Sequence, residues 1–412
     1  MTAIQIVLRT LTPLWTGGVD QTCDRLHETG ILGSLRWWYE AIVRGLGGYA
    51  CDPTAESSEA RCSFDNKAYE KAKTRTRKHE EEAIREGLRT VCPVCYVFGC
   101  TGWARLFQLR AVEVPSTPLH FRTTLSTNRG WLGRVFGGEQ QRIDSVQVPY
   151  GDLRFQLATR RYNPEYAKNQ FALVLRIAAD YGGIGARMQH GFGQFVFPSE
   201  LSDISLTDAL DQLVTMIQSR TLRSDGPPVD TPFNLRNFVA LFYRIPKAKL
   251  SDFTRSRAHV GSAVKATEEY YLPCVFDLRY KGSGKWGMRR WLKKEKRWRE
   301  SDDPERLEEL DLLLGPRSQW GSRGREQKIE ESLRTAGRVF FSMPYRIDED
   351  TYALRIWAFL APELQHRLPT VSDLGDLCRE YMRYVLGVEP ESIISGEQIL
   401  QQLQGGGKGV GS

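Results

Sequence analysis

The sequence predicts an α+β protein made of two similar units joined by a short linker. The 412-residue chain is longer than one domain usually is. A strand followed by a basic helix opens near residue 3, and the same pattern opens again near residue 233. Between them, residues 225–232 (DGPPVDTP) have the adjacent prolines of an extended connector. We expect domains at 1–224 and 233–404, with 225–232 as the linker and a disordered tail at 405–412.

The first unit opens with a strand at 3–10, where apolar positions alternate with other residues. A helix follows in GILGSLRWWYEAIVRGLGG, where Leu35, Trp38, Ile42 and Leu46 recur at helical spacing. Residues 52–90 are charged and predict a surface insertion with a solvated helix. The chain then predicts, in order, a strand at 105–114, a glycine- and arginine-rich excursion at 121–142, a helix at 170–180 and a short strand ending at 197.

The second unit repeats this order with less clarity. A strand is predicted at 233–245, a basic helix at 284–294, and strands at 337–347 and 351–360, after which helices close the domain. Gly-x-x-Arg-Trp opens the helix in both halves, at Gly33 and again at Gly287, which suggests a weak internal duplication. Strand, helix and strand in each half fit two tandem ferredoxin-like (RRM-like) domains, the first with a charged, cysteine-bearing insertion at about 51–100.

Composition narrows the class of protein. Hydrophobic residues make up 41% of the chain, which is enough for packed cores. We expect a cytoplasmic protein without membrane contact, because no apolar run approaches the roughly 20 residues of a membrane span and no signal peptide is present. A net charge of +7 is compatible with a polyanionic partner, and basic residues cluster at 71–78 and 285–299.

Cysteine spacing predicts a structural zinc site. Cys92 and Cys95 form a C-P-x-C knuckle, and Cys51 with Cys62 would complete four thiolate ligands. Cys100 and His79 are rival ligands. Alternatively the cysteines are reduced and partly buried without a metal, whereas a redox pair is disfavoured because no thioredoxin-like context surrounds them.

The stretch YGGIGARMQHGFGQF has the densest glycines of the chain. Gly182, Gly183, Gly185, Gly191 and Gly193 permit close approach of another backbone, and exposed amides beside Arg187 and His190 suit a phosphate. The loop matches neither the P-loop nor the dinucleotide fingerprint. The alternative is a tight turn that binds no ligand.

Arginines beside tryptophans suggest further RNA contacts, because single-stranded RNA pairs phosphates with cations and bases with aromatic faces. The alternative is that the tryptophans pack and the arginines are solvated; Trp38 is assigned to the core. The candidates are Trp15, Gly17, Gly18, Arg36, Trp37, Arg44, Arg105, Arg129, Arg134, Lys285, Arg289 and Arg290.

The glycine-rich loop resembles that of the RAMP superfamily, the RRM-like proteins of CRISPR systems. TPLWTGG, GILGSLRWWYE and CPVCYVFGCTGWARLF, in this order, are similar to the family of first subunits of the type III-B Cmr complex. The resemblance covers residues 1 to about 197. It implies two ferredoxin-like domains and a structural subunit of an antiviral ribonucleoprotein. Such a subunit binds guide (CRISPR) RNA toward its 3′ end, helps to engage target single-stranded RNA and assembles with other Cmr subunits.

The histidines give no support for catalysis. None of the six lies in HExxH, in a His-Asp pair or beside a nucleophile motif, so we expect no enzyme activity. His190 is the one candidate for acid–base chemistry. A RAMP-type endoribonuclease that processes guide precursors is therefore the alternative function, and a free-standing RNA-binding protein is the third.

Overall fold

The structure is a computed structural model that describes most of the chain. The described residues are 3–17, 23, 25–55, 57–75, 80–126, 142–160, 162–227, 233–255, 269–270, 275, 278–279, 285–301, 306–316, 319–320, 326–327 and 337–405. Four predicted ligands or contacts, Gly18, His79, Arg129 and Arg134, lie outside them. Among the described residues, no helix has the length and apolarity needed to cross a membrane.

The described elements are a mixture of helices and strands. The helices are α1 (Glu28–Gly45), α2 (Asn66–Arg75), α3 (Glu80–Leu88), α4 (Pro93–Phe98), α5 (Pro164–Tyr181), α6 (Leu206–Gln218), α7 (Lys247–Arg255), α8 (Met288–Lys294), α9 (Glu309–Leu314), α10 (Val371–Leu386) and α11 (Gly396–Gln404). The strands are β1 (Ala3–Thr10), β2 (Phe107–Glu113), β3 (Ser116–Ser126), β4 (Arg142–Pro149), β5 (Asp152–Thr159), β6 (Phe195–Val196), β7 (Phe238–Pro246), β8 (Gln319–Trp320), β9 (Glu326–Gln327), β10 (Val339–Phe341), β11 (Tyr345–Arg346), β12 (Thr351–Phe359) and β13 (Ser392–Ser395).

The first sheet has the strand order β2-β5-β1-β6, and its neighbours are antiparallel. Helices α1 to α4 connect its first two strands along the chain, and α5 connects its last two. The β3–β4 hairpin is inserted between β2 and β5. The unit is therefore strand, helices, two strands, helix and strand, with an extra hairpin in the middle.

The second sheet repeats this arrangement. Its order is β10-β12-β7-β13, again antiparallel, with β11 added beside β12. Helices α7 to α9 lie along the chain between β7 and β10, and α10 lies between β12 and β13. The predicted α+β class is confirmed by these antiparallel sheets and their connecting helices.

Local sequence patterns explain the central elements of the first half. In β1, Ile6 and Leu8 are buried whereas Gln5 and Arg9 are exposed, as period-two alternation requires. In α1, the predicted stripe of Leu35, Trp38 and Ile42 is fully buried against the sheet and α5.

The second sheet is buried on both faces. In β7, Val239, Leu241 and Tyr243 share a core with α10 of the same half. The alternate residues Phe238 and Ala240 belong to the core that contains α1 of the first half. The two halves therefore share their hydrophobic cores, and helix α1 lies between the two sheets.

Candidate functional site

Four buried cysteines converge between the end of α1 and the start of α4. The Sγ atoms of Cys51, Cys62, Cys92 and Cys95 all lie within 4.8 Å of one another, and those of Cys51 and Cys95 are 3.4 Å apart. The Cys92 amide donates to the Cys62 sulfur at 3.3 Å, and the Cys95 amide donates to the Cys92 sulfur at 3.5 Å. Backbone donors thus hold two of the sulfurs in place.

This arrangement fits a tetrahedral metal ion. Four sulfurs at about 2.3 Å from one Zn²⁺ would lie roughly 3.8 Å from each other, comparable to the observed cluster. Burial alone would raise the pKa of the Cys92 thiol, but hydrogen bonds from the neighbouring cysteines outweigh it and hold that pKa well below its usual range. Sulfur donors close enough to hold a metal are therefore present where the sequence predicted them.

The rival ligand Cys100 lies beside the cluster but outside the group of four. It is half-exposed, and its sulfur contacts the Thr101 carbonyl at 3.8 Å. A cavity of about 280 Å³ at the mouth of the cluster is lined by Cys100 together with Arg36, Cys51 and Cys95. Solvent therefore approaches the cluster from the Cys100 side.

Arg36 points toward the cysteines. Its Nη2 lies 3.2 Å from the Cys95 sulfur and 3.9 Å from the Cys51 sulfur. Its Nη1 donates to the Gly99 carbonyl at 3.0 Å, and its Nε donates to Glu40 at 3.0 Å. Protein acceptors therefore engage all three nitrogens of the side chain.

The glycine-rich loop, residues 182–193, is held tightly by internal hydrogen bonds. Most of its glycines are buried; a Cβ on Gly182 would lie 2.0 Å from the Trp38 ring. Seven amides donate within the protein: Gly182 to Ala178, Ile184 to Gly193, Gly185 to Ser34, Ala186 to Trp15, His190 to Arg187, Gly191 to Met188 and Gly193 to Pro13. These seven N–H groups are not available to a phosphate, so an RNA contact of this loop stays a prediction for its side chains.

At the tip of the loop, the buried side chains of Trp15 and His190 lie near the half-buried Arg187. Trp15 is only 1% exposed, and the Arg187 guanidinium lies over its ring at 4.9 Å. Burial lowers the pKa of Arg187 to about 10. His190 is also buried, and burial together with Arg279 and Arg187 holds its pKa well below the usual range. The imidazole is therefore neutral and shielded from solvent.

Trp37 and Arg44, two other predicted RNA contacts on α1, pack between the halves. The Trp37 ring meets those of Phe233 at 4.8 Å and Phe359 at 5.4 Å. Arg44 lies 3.6 Å from Glu40 and donates to the Phe233 carbonyl. Their RNA contacts stay predictions, but the observed neighbours are protein groups.

The predicted basic segment at 285–299 divides into buried and exposed cations. Arg289 is buried and pairs with Glu300 at 2.8 Å and with Asp311 at 3.2 Å. Arg290 is exposed and its guanidinium lies 5.1 Å from the Trp286 ring, while Lys285 is exposed beside Tyr384. Arg290, Lys285 and Trp286 therefore present a basic and aromatic surface.

The remaining predicted contacts, Arg105 and Gly17, are both half-buried. The outward face of the first sheet carries Gln5, Arg9 and Arg110, which were not among the predicted RNA contacts. Gln156 of β5 lies between Gln5 and Arg110 in the strand register. Strand alternation alone could have identified this polar face.

The first half of the chain is similar in sequence to a known protein family. The family model described as RAMP superfamily matches residues 7–196, and no curated protein matches the sequence. Among solved structures, apo Cmr1 from Pyrococcus furiosus is 15% identical, with 88% of each chain covered and a TM-score of 0.38. A type III-B Cmr-beta structure bound to cognate target RNA is 11% identical, covering 90% of this chain and 98% of that chain, with a TM-score of 0.41. The likeness in overall shape is weak at these TM-scores.

Proposed function

Because the RAMP superfamily model matches residues 7–196, we propose that the chain is a non-catalytic RNA-binding subunit of a type III-B CRISPR (Cmr) effector complex. In this role it binds guide RNA toward its 3′ end and helps to engage single-stranded target RNA. The observation that carries the proposal is the family match, which runs from β1 to β6 and so includes both the first sheet and the glycine-rich loop.

We also propose that each half is a ferredoxin-like unit, with the linker at 225–232. The support is that both sheets have the same order, in which the first and third strands of the unit are central. Because the shared cores bury the second sheet on both faces, RNA cannot stack on that sheet as it does on an RRM.

The exposed surfaces that remain are polar and basic. Lys285 and Arg290 offer phosphate contacts beside Trp286, and the half-buried Arg187 lies at the tip of the glycine-rich loop. Arg9 and Arg110 lie on the outward face of the first sheet. We propose these groups as the RNA contacts, whereas Arg289, with two carboxylate partners, stabilises the fold.

The geometry of His190 supports a non-catalytic subunit. A general acid or base must reach the proton it transfers, and its pKa must lie near the working pH. His190 is buried, and its pKa is well below neutrality. The endoribonuclease alternative would need this side chain to become exposed.

Binding and cleavage are tested together on the full chain. We expect a labelled single-stranded RNA to bind with a steep salt dependence and to stay intact with or without metal ions. Arg290→Ala should reduce the slope of log affinity against log salt by about 0.7, the value for one phosphate contact. Lys249→Ala removes the same charge elsewhere and should leave the slope unchanged. If the protein cuts the RNA and His190→Ala abolishes cutting, the alternative function is correct.

Complex membership has a separate test. Co-expression with the other Cmr subunits should yield one large particle that contains the chain and guide RNA. A chain that never enters such a particle would be a free-standing RNA-binding protein.

We propose that the four-cysteine site holds structural Zn²⁺. When bound, the ion would cross-link the end of α1 to α4 with no open coordination position for water. Elemental analysis of the full chain should give about one zinc per chain, and less than about half would exclude the site. Cys62→Ser should lose the metal, whereas Cys100→Ser and Cys378→Ala should keep it.

A further inference from the structure

One cation contacts the sulfurs of the four-cysteine site. Arg36 Nη2 lies 3.2 Å from the Cys95 sulfur and 3.9 Å from the Cys51 sulfur. The side chain of Arg36 is 17% exposed, so solvent screens this contact only weakly. The two sulfurs belong to residues 15 and 59 positions further along the chain, so helical periodicity could not reveal the contact.

Charge makes this contact important for a metal ion. Four thiolates around a divalent cation leave a net charge of −2, and burying unpaired charge is costly. Glu40 adds another buried negative charge, which Arg36 at 3.0 Å and Arg44 at 3.6 Å offset together. Because these two cations share one carboxylate, part of the positive charge of Arg36 remains to offset the metal–thiolate centre.

We propose that Arg36 is a positioning residue of the four-cysteine metal site. Its hydrogen bond fixes the Cys95 sulfur and offsets part of the charge that builds up when the metal binds. This inference rests on the proposed metal site. It gives Arg36 a role different from the RNA contact that its neighbouring tryptophans suggested.

The shape of the side chain explains why arginine is needed. One planar guanidinium reaches the Cys95 sulfur, the Gly99 carbonyl and the Glu40 carboxylate at the same time. A lysine has a compact ammonium that cannot span these three acceptors in one plane. Arg36→Lys should therefore keep the charge but lose part of the orientation.

The test uses Co²⁺, because Zn²⁺ is spectroscopically silent. We expect Arg36→Met to weaken Co²⁺ affinity of the full chain about 10- to 100-fold, as removal of an outer-shell partner does. The thiolate-to-Co²⁺ charge-transfer band should move to lower energy, because the sulfur lone pairs lose a neighbouring positive charge. Arg36→Lys should give an intermediate affinity and band position.

Arg44→Met is the matched control. Arg44 is on the same helix, is 13% exposed and contacts Glu40, so this variant removes a similar side chain but spares the arginine–sulfur contact. Because the arginine–sulfur contact remains, its affinity and band should change much less than those of Arg36→Met. The charge-transfer band comes only from folded, metal-bound protein. Its energy can therefore be measured even if the Arg36→Met variant gives less folded protein.

The possible failures are distinct. An unchanged affinity and band in Arg36→Met would overturn the role of Arg36 while leaving the metal site intact. A wild-type chain that binds neither Co²⁺ nor Zn²⁺ would instead overturn the metal site itself.

Discussion

At the scale of single residues, Gly182 shows how the glycine-rich loop is constrained by packing. A Cβ at this position would lie 2.0 Å from the Trp38 ring, and the Trp38 indole N–H donates to the Gly183 carbonyl at 2.9 Å. Arg355 of the second half also donates to the carbonyls of Ala179 and Gly182. The loop therefore joins α1, α5 and the second sheet.

Gly182→Ala should destabilise the protein by about 2 to 3 kcal/mol, because the ring and the loop must move apart to admit the methyl group. Urea unfolding measures the change. The control is Gly33→Ala at an exposed position of α1, where a Cβ meets nothing within 4 Å; there the helix should gain about 0.5 to 1 kcal/mol. Equal stability of the Gly182→Ala variant and the wild type would contradict the packing role.

Glu309 makes an acid-sensitive contribution to stability. Burial alone would raise its pKa, but the Arg299 amide, Arg367 and His366 outweigh burial and lower the pKa to about 2. A carboxylate with a lowered folded-state pKa stabilises the fold above its unfolded pKa of about 4.3. That stabilisation is lost as pH falls from about 4 toward 2.

Comparing wild type with Glu309→Gln in urea between pH 6 and pH 2 isolates this contribution, with the window set by the two pKa values. The difference in free energy of unfolding should be largest near pH 6 and shrink toward pH 2. The control is Glu349→Gln, which changes an exposed carboxylate between β11 and β12 and leaves the contacts of Glu309 in place. A pH-independent difference for Glu309→Gln would refute the lowered pKa.

At the scale of elements, periodicity predicted the parts that form one buried face. The alternation at 3–10 and the stripe on α1 match β1 and α1 closely. The helical stretch predicted within 52–90 contains the described helices α2 and α3, which are largely exposed and so give no apolar stripe. The excursion predicted at 121–142 overlaps the end of β3 and the first residue of β4, which pair with each other. Sequence patterns did not predict this pairing, because hydrogen bonds between strands depend on residues far along the chain.

The candidate site was predictable only where residue type alone carries the chemistry. Cysteine spacing identified all four clustered sulfurs, since few other arrangements use a C-x-x-C knuckle with two further thiols. The partners of Arg36 and Trp37 were not predictable, because both lie on the less apolar side of α1 and meet groups from Gly99 and Phe233. A helical pattern shows which face is polar but not what covers it.

Trp37 and Trp286 should therefore respond differently to substitution. Trp37→Ala removes a ring packed against Phe233 and Phe359 and should cost about 3 kcal/mol of unfolding free energy. Trp286→Ala should cost about 1 kcal/mol or less, yet should weaken single-stranded RNA binding about tenfold, because stacking on one base is lost. Thermal melts measure the loss of stability, and fluorescence anisotropy of labelled RNA measures the loss of affinity. If Trp37→Ala weakened RNA binding and Trp286→Ala did not, the RNA would lie on α1.

At the scale of the whole molecule, the family match covers the first half, whereas the hydrophobic packing joins both halves. The RAMP match ends at residue 196, within the first sheet, whereas the hydrophobic cores continue into the second half. The sequence resemblance is confirmed for the first half. The equivalence of the second half rests on strand order, because similar topologies arise from sequences with little in common.

The shared cores predict that the two halves unfold together. Phe238, Ala240, Trp357 and Phe359 of the second sheet lie in the same core as α1, so separating the halves would expose an apolar face larger than a soluble surface normally carries. Calorimetry of the full chain should show one main transition, and residues 233–405 expressed alone should aggregate. Substituting Arg355 with Met, which removes its bonds to Ala179 and Gly182, should lower that single transition rather than split it. Two well-separated transitions in the wild type would show that the halves are independent domains and that α1 does not hold them together.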